Sequence, residues 1–282
     1  MVNIRDLDPS ASPLDYFGSE LRRLRESAGL NQKQLGSIVF CTGSLIGQIE
    51  TAKKVPTREF AERVDAALGT EGALSRLLGL VLRSQLPHWF QQYAEMEARA
   101  TYISTFQSQV VYGLLQTEGY ARAVLAAPEP ANLEELVAAR MERQRILHRE
   151  KPPLVWVVLD EAALYRPMGN ERVMRKQLAH LLSFGGQRRV KLQVLPFSAG
   201  EHPGLPGAFN LLRFDSDPDV VYTEDFISGH MTADPHGVGE GWLHYDQLQA
   251  AALSVRDSAA LITRVMEERY GDQPEADGRD VA

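Results

Sequence analysis

The stretch LRRLRESAGLNQKQLGSIVFCTGSLIGQIETAKKVPTREFAERVDAAL, residues 21–68, constrains this chain more than any other. Leu35 and Val39 recur four apart and Ile46 and Ile49 three apart, so each pair shares one helical face. Asn31 and Thr42 stand where the N-caps of those helices belong, because their side chains accept from backbone N–H groups that lack intrahelical partners. The spacing predicts helices over 32–39 and 43–51, packed on each other across a tight turn. Phe17, Leu21 and Leu24 predict a preceding helix over 14–27, which Gly29 stops. Two more, over 57–68 and 72–82, complete an all-α five-helix domain over 14–83 with a helix-turn-helix at its centre.

In such a domain the later helix of the pair enters the major groove and reads bases with outward side chains near its N-terminus. With Ile46 and Ile49 inward, Gly43, Ser44, Leu45, Gly47 and Gln48 are expected on the base-reading face. Gln48 is the leading reader, because an amide makes paired bonds to adenine; Ser44 suits several base edges and Leu45 a thymine methyl. Gln32 at a helix start, Lys53 and Lys54 just past the reading helix, and Arg58 beyond them are expected to grip phosphates. Glu50 is expected to be structural, since an acid facing phosphates is repelled. The net charge of −7 does not oppose double-stranded operator DNA as partner. Tyr16–Val64 holds eight basic residues against five acidic ones, and a local basic face suffices to attract phosphate.

Beyond residue 83 the pattern changes. A helix over 86–100 leads into short apolar, β-rich runs at 102–106, 154–159, 190–195, 207–214 and 219–223, which predict strands. Helical patterns cover 115–126, started by Thr117, then 132–149, 171–184, 238–252 and 255–269. Residues 84–270 are therefore expected to form a C-terminal α+β domain. Residues 1–13 and 271–282 are expected to be a disordered arm and tail. A single cysteine, Cys41, excludes an internal disulfide and suits a reducing cytoplasm, and no apolar run approaches the length of a membrane span.

Leu24-Arg25-x3-Gly29-Leu30-x-Gln32-x2-Leu35 and Ile49-Glu50-x5-Pro56 resemble the Xre or lambda-repressor-like helix-turn-helix. Phe40 departs from that pattern, standing where the family has a glycine, and Gly43 and Gly47 lie within the reading helix. Further on, Gly113-Leu114-Leu115-Gln116-Thr117-Glu118, Arg140-x2-Arg143-Gln144, Asp160-Glu161-Ala162-Ala163-Leu164, Gln193-Val194-Leu195-Pro196-Phe197 and Val221-Tyr222-x-Glu224 are similar to actinobacterial regulators of the WhiJ-like, toxin–antitoxin-like kind. Tyr112 replaces the proline usual there. That resemblance implies a transcriptional regulator, antitoxin-like in its pairing with a small protein from a neighbouring gene. It leaves the biochemistry of the C-terminal domain open.

The residues themselves offer no catalytic set. The seven histidines form no metal-ligand pair, one cysteine cannot make a zinc knuckle, and no nucleophile elbow, phosphate loop or dinucleotide fingerprint occurs. No catalytic residue, metal or cofactor is assigned; the alternatives to a regulator are an antitoxin-like interaction protein and an enzyme whose C-terminal pocket is lined by groups such as Glu224, Asp160 or His202. Asp160 and Glu161 read as charges at a helix start. The Gly- and Pro-rich loop 196–208 is long enough to edge a binding site. Glu201 and His202 within it, with Tyr222 and Glu224, form the candidate ligand or partner site, and Arg140 or Arg143 is the candidate partner for Glu224. Because one short helix reads few base pairs, a homodimer is expected.

Overall fold

The computed structural model describes residues 7–271, so the expected tail lies almost wholly outside the described residues, as does the expected arm before residue 7. The chain divides into two compact units. One runs up to His88 and takes in Glu134–Glu142; the other comprises Trp89–Leu133 and the chain from Arg143 onward.

The first unit opens with α1 (Pro13–Ser27), capped by the Ser12 hydroxyl and started by a proline in the first turn, where a missing N–H costs nothing. It continues with α2 (Gln32–Ile38), α3 (Gly43–Glu50), α4 (Arg58–Leu68) and α5 (Ala73–Ser84). The predicted five-helix arrangement is present. Phe17, Leu21, Leu35, Ile46, Val64, Leu74 and Leu78 are fully buried and make its core. The side chain of Asp65 in α4 accepts from the backbone of Leu74 (2.9 Å) and Ser75 (2.8 Å), which caps α5 in place of Gly72.

Next along the chain come α6 (His88–Arg99), β1 (Tyr102–Gln107), α7 (Glu118–Ala126), α8 (Leu133–Arg143), β2 (Leu154–Asp160), α9 (Ala162–Tyr165), α10 (Glu171–Ser183) and β3 (Val190–Leu195). β4 (Phe209–Arg213), β5 (Val220–Glu224), β6 (Gly229–Thr232), α11 (Pro235–Ala251) and α12 (Val255–Tyr270) complete it. The charged helix expected over 132–149 gives way to a 3-10 turn after Arg143, and β6 is a strand without a sequence prediction.

One six-stranded sheet carries the second unit, in the order β3-β2-β1-β4-β5-β6. β1, β2 and β3 are parallel, and β4, β5 and β6 are antiparallel neighbours. This α+β unit places its apolar runs as burial requires: β2, flanked on both sides, is nearly all apolar. Phe106, Val158, Leu195, Phe209 and Leu211 pack on one face against Tyr245 and Leu248 of α11. The edge at β3 is covered at Val194, which donates its N–H to the Ser258 hydroxyl (2.8 Å) and accepts from the Leu253 N–H (2.9 Å).

Candidate nucleic-acid interface

Two caps and a turn set the helix pair. Asn31 accepts from the Gln34 N–H while Gln34 accepts from the Asn31 N–H, a reciprocal capping box on α2; the Thr42 hydroxyl accepts from the Leu45 N–H and starts α3. Between them Phe40 adopts φ 59°, the left-handed conformation that glycine adopts freely and other residues at a cost of about 1–2 kcal/mol. That is why a glycine is expected at this place; Phe40 takes the same backbone with its ring 83% exposed. A β-carbon on Gly36 would lie 2.8 Å from the Cys41 carbonyl oxygen, so the turn folds back directly on α2.

The two glycines of α3 have the same kind of role. A β-carbon on Gly43 would stand 3.0 Å from Lys33 Cα, and one on Gly47 would stand 3.1 Å from Gln32 Oε1. Both therefore face α2 instead of pointing outward, a correction to the expected reading set. The helix propensity they forgo lets the α2 backbone approach closely at Gly43 and leaves room for the Gln32 side chain at Gly47.

Beneath the pair lies a buried ion network. Glu50, fully buried, receives Arg25 Nε at 2.5 Å and its terminal nitrogen at 3.1 Å, and Gln32 Nε2 donates to it at 2.8 Å. Arg25 also donates to the Leu30 carbonyl oxygen at 2.7 Å, so one guanidinium ties α1, the loop before α2, and α3 together. Glu50 is structural, as expected. Gln32, expected on phosphate, spends its amide on this network.

What remains outward is smaller and better defined. Ser44 and Gln48 are exposed and Leu45 half-buried on α3. Lys53 and Lys54 are exposed just past it, without an ion pair to any described residue. Arg58 is not available in the same way: its guanidinium pairs with Glu142 and donates to the Ser75 carbonyl oxygen at 3.1 Å. The sequence reasoning missed Lys33, which is exposed and lines an open concavity with Gln32, Ser37, Cys41, Thr42, Gly43 and Ser44. Its signal was available, since Lys33 and Ser37 lie one turn apart on the face opposite Leu35.

In the second unit three of the four candidate residues divide between the two faces of the sheet. His202 lies edge-on to Phe106, with ring centroids 5.7 Å apart, and its Nε2 is 3.8 Å from Asp160. Tyr222 is in register with Asn210, which pairs with Thr105, so it projects from the face opposite Phe106. There it stacks on Tyr93 at 4.0 Å and donates to Glu224 at 3.0 Å. Glu201 is exposed. The structure thus does not gather these four into one site. The loop 196–208 is a built connection: Phe197 N–H donates to Glu161, Gly204 N–H to His202 Nδ1, and Gly204 packs on the Phe106 ring. The Asp160 side chain accepts from the Ala162 N–H, in keeping with a charge at a helix start.

Of the two expected partners of Glu224, Arg143 is engaged elsewhere. Arg143 binds the buried Glu97 through two bonds of 2.9 and 2.8 Å, and Tyr93 and Tyr112 both donate to the same carboxylate. Burial drives both phenols far above their ordinary pKa, so they stay neutral donors. This network, with Arg143 also over the Phe90 ring at 4.6 Å, is satisfied and internal. Among the described residues no three His, Cys, Asp or Glu side chains are placed to hold a metal ion, and no helix is long and apolar enough to cross a membrane.

Two family models match the chain, one on each side of residues 79–89. Residues 17–78 match a helix-turn-helix domain, and residues 90–264 match a domain of unknown function, DUF5753. No curated protein and no solved structure matches the chain. Since the second match runs over more than half of the sequence, the chain, with its helix-turn-helix in front, belongs to the DUF5753 family.

Proposed function

We propose that this chain is a sequence-specific transcriptional regulator that binds operator DNA through α3, and whose second unit receives a small partner protein or ligand. The observation that carries the reading is the α2–α3 pair: two capped helices locked by a buried ion network, with a polar outward face. Ser44, Leu45 and Gln48 read base edges, and Lys33, Lys53 and Lys54 engage phosphates. Gly43 and Gly47 serve by bringing α3 close to α2. Gln32 serves through Glu50, which sets the pitch of α3 from beneath. The regulator acts as a homodimer, since two copies reading half-sites about one helical turn apart give specificity that one short helix lacks. Light scattering at operator-binding concentrations tests this; a monomer alone would exclude it.

The DNA-binding reading is tested by selecting fragments from sheared genomic DNA with the purified full chain. One enriched motif is expected. Gln48→Ala then relaxes preference at one base pair at a cost of about 1–3 kcal/mol. Lys53→Ala/Lys54→Ala weakens every site alike and lowers the salt slope by about two charges' worth. No enrichment by the wild-type chain would overturn the reading.

A further inference from the structure

The two edges of the sheet are treated differently. At β3 the backbone groups of Val194 are taken by Ser258 and Leu253. At β6 no described residue pairs with the outer side of the strand. The Asp225 N–H donates to the Ser228 carbonyl oxygen at 2.9 Å, which makes these two residues a hydrogen-bonded pair. Antiparallel alternation then turns Thr223 and His230 toward each other and leaves the N–H and C=O groups of Gly229 and Met231 facing outward. An uncovered strand edge is a template for another strand.

The tip of that hairpin carries Phe226, fully exposed, and Ile227, 77% exposed. They are held in place. Asp225 accepts from the Ile227 N–H (2.8 Å), the Ser228 N–H (2.7 Å) and the Ser228 hydroxyl (2.8 Å). At the other end of the turn Gly229 sits against the Tyr222 hydroxyl and the Trp89 ring so closely that a β-carbon there would fall 2.4 and 2.8 Å from them. Two large apolar side chains presented on a fixed turn beside an unpaired edge mark an interaction surface. Its fixed charge is acidic: Glu224, Asp225 and Asp234 are exposed, 223–234 contains no lysine or arginine, and the one basic side chain, His230, already lies against Asp225 at 3.2 Å.

We propose that the β5–β6 hairpin docks an extended segment of a partner protein, which adds a strand beside β6, covers Phe226 and Ile227, and carries lysine or arginine opposite the three carboxylates. Main-chain bonds to Gly229 and Met231 supply affinity, and the apolar tip and acidic flank supply selectivity. A second copy of this chain would set like carboxylates against each other, and residues 272–282 are themselves acidic, so neither complements the surface. The proposal rests on the reading of the second unit as the partner-binding part.

The test is amide NMR on the full chain with three short synthetic probes: alternating valine–lysine, alternating valine–glutamate, and a scrambled lysine peptide. The valine–lysine strand is expected to shift the Gly229 and Met231 amides, more weakly as salt rises. Phe226→Ser/Ile227→Ser, which changes only exposed side chains, should weaken that binding about tenfold or more. Met231→Pro, which removes an outward N–H, should also abolish it. No shift at the hairpin at millimolar probe, or equal shifts from the glutamate peptide, would overturn the proposal. So would a dimer that Phe226→Ser/Ile227→Ser converts to monomer, which would assign the surface to a second copy. Operator binding by Phe226→Ser/Ile227→Ser should match wild type; failure of the wild-type chain to bind any DNA would remove the regulator reading and leave the peptide result intact.

Discussion

Replacing Arg25 with methionine keeps most of the side chain's length and apolar stem while removing the charge that faces Glu50. The carboxylate is fully buried and the Arg25 side chain is 8% exposed, so the pair is desolvated. Removing one member of a buried, hydrogen-bonded ion pair costs about 3–5 kcal/mol, because the other charge stays behind without compensation. Here Gln32 still donates to Glu50, and Arg22 stands 3.9 Å away, which places the expectation near the lower end, at about 3 kcal/mol. With a urea slope of about 1 kcal/mol/M for a helical unit this small, the midpoint should fall by about 2–3 M. The chain offers a clean readout: Trp89, Trp156 and Trp242 are its three tryptophans, and all belong to the second unit. Urea titration followed by circular dichroism at 222 nm should therefore show an early loss of helix in Arg25→Met while the tryptophan fluorescence transition stays in place. Arg25→Met/Glu50→Leu should recover most of the loss, since an apolar replacement of a whole buried pair is often neutral. A single variant within about 0.5 kcal/mol of wild type, or a double variant no more stable than the single, would refute the argument that this pair is mutually dependent.

Three other perturbations have defined outcomes. Asp65 is held below the usual carboxylate pKa: burial pushes it up, but the hydrogen bonds from Ser75, Thr70 and Leu74 outweigh that. Its folded value lies below its unfolded one, so its contribution is complete above about pH 4 and is lost as pH falls through the folded value. Asp65→Ala should cost about 1–3 kcal/mol at pH 7 and flatten the acid limb of a pH–stability curve; an unchanged limb would assign the acid sensitivity elsewhere. Phe40→Gly relieves a left-handed residue whose ring is mostly in solvent, and should stabilise the first unit by up to about 1 kcal/mol in the same urea assay; destabilisation would show that the ring packs more than its exposure suggests. Gly204→Ala places a β-carbon 2.3–2.8 Å from the buried Phe106 ring and should destabilise the second unit by about 1–3 kcal/mol, seen in tryptophan fluorescence. A neutral result there would mean that the loop 196–208 lifts from β1 at little cost.

Local chemistry made much of this protein readable from its residues alone. Asn31 and Thr42 announce two helices because capping involves atoms only three residues apart, and the pairs Leu35/Val39 and Ile46/Ile49 announce their packing because helical periodicity is a property of the chain itself. The apolar runs that became β1 to β5 were legible for the same reason, since a strand buried on its faces needs apolar side chains whatever its neighbours are. β6 was not legible: Gly229–Thr232 has no apolar run and is a strand only because β5 lies beside it. The order of the sheet and its change from parallel to antiparallel were likewise hidden. Site residues were lost in the same way. Arg58 looks like a phosphate ligand until Glu142, 84 positions on, takes its guanidinium, and Arg143 looks like one of two candidate partners for Glu224 until Glu97 takes it. Gly43 and Gly47 read as weak points in a helix until Lys33 and Gln32 are placed against them. In each case the sequence determined what a side chain can do, and the tertiary structure decided whether it is free to do it, because charge pairing and close approach depend on distances in space that separation along the chain does not encode.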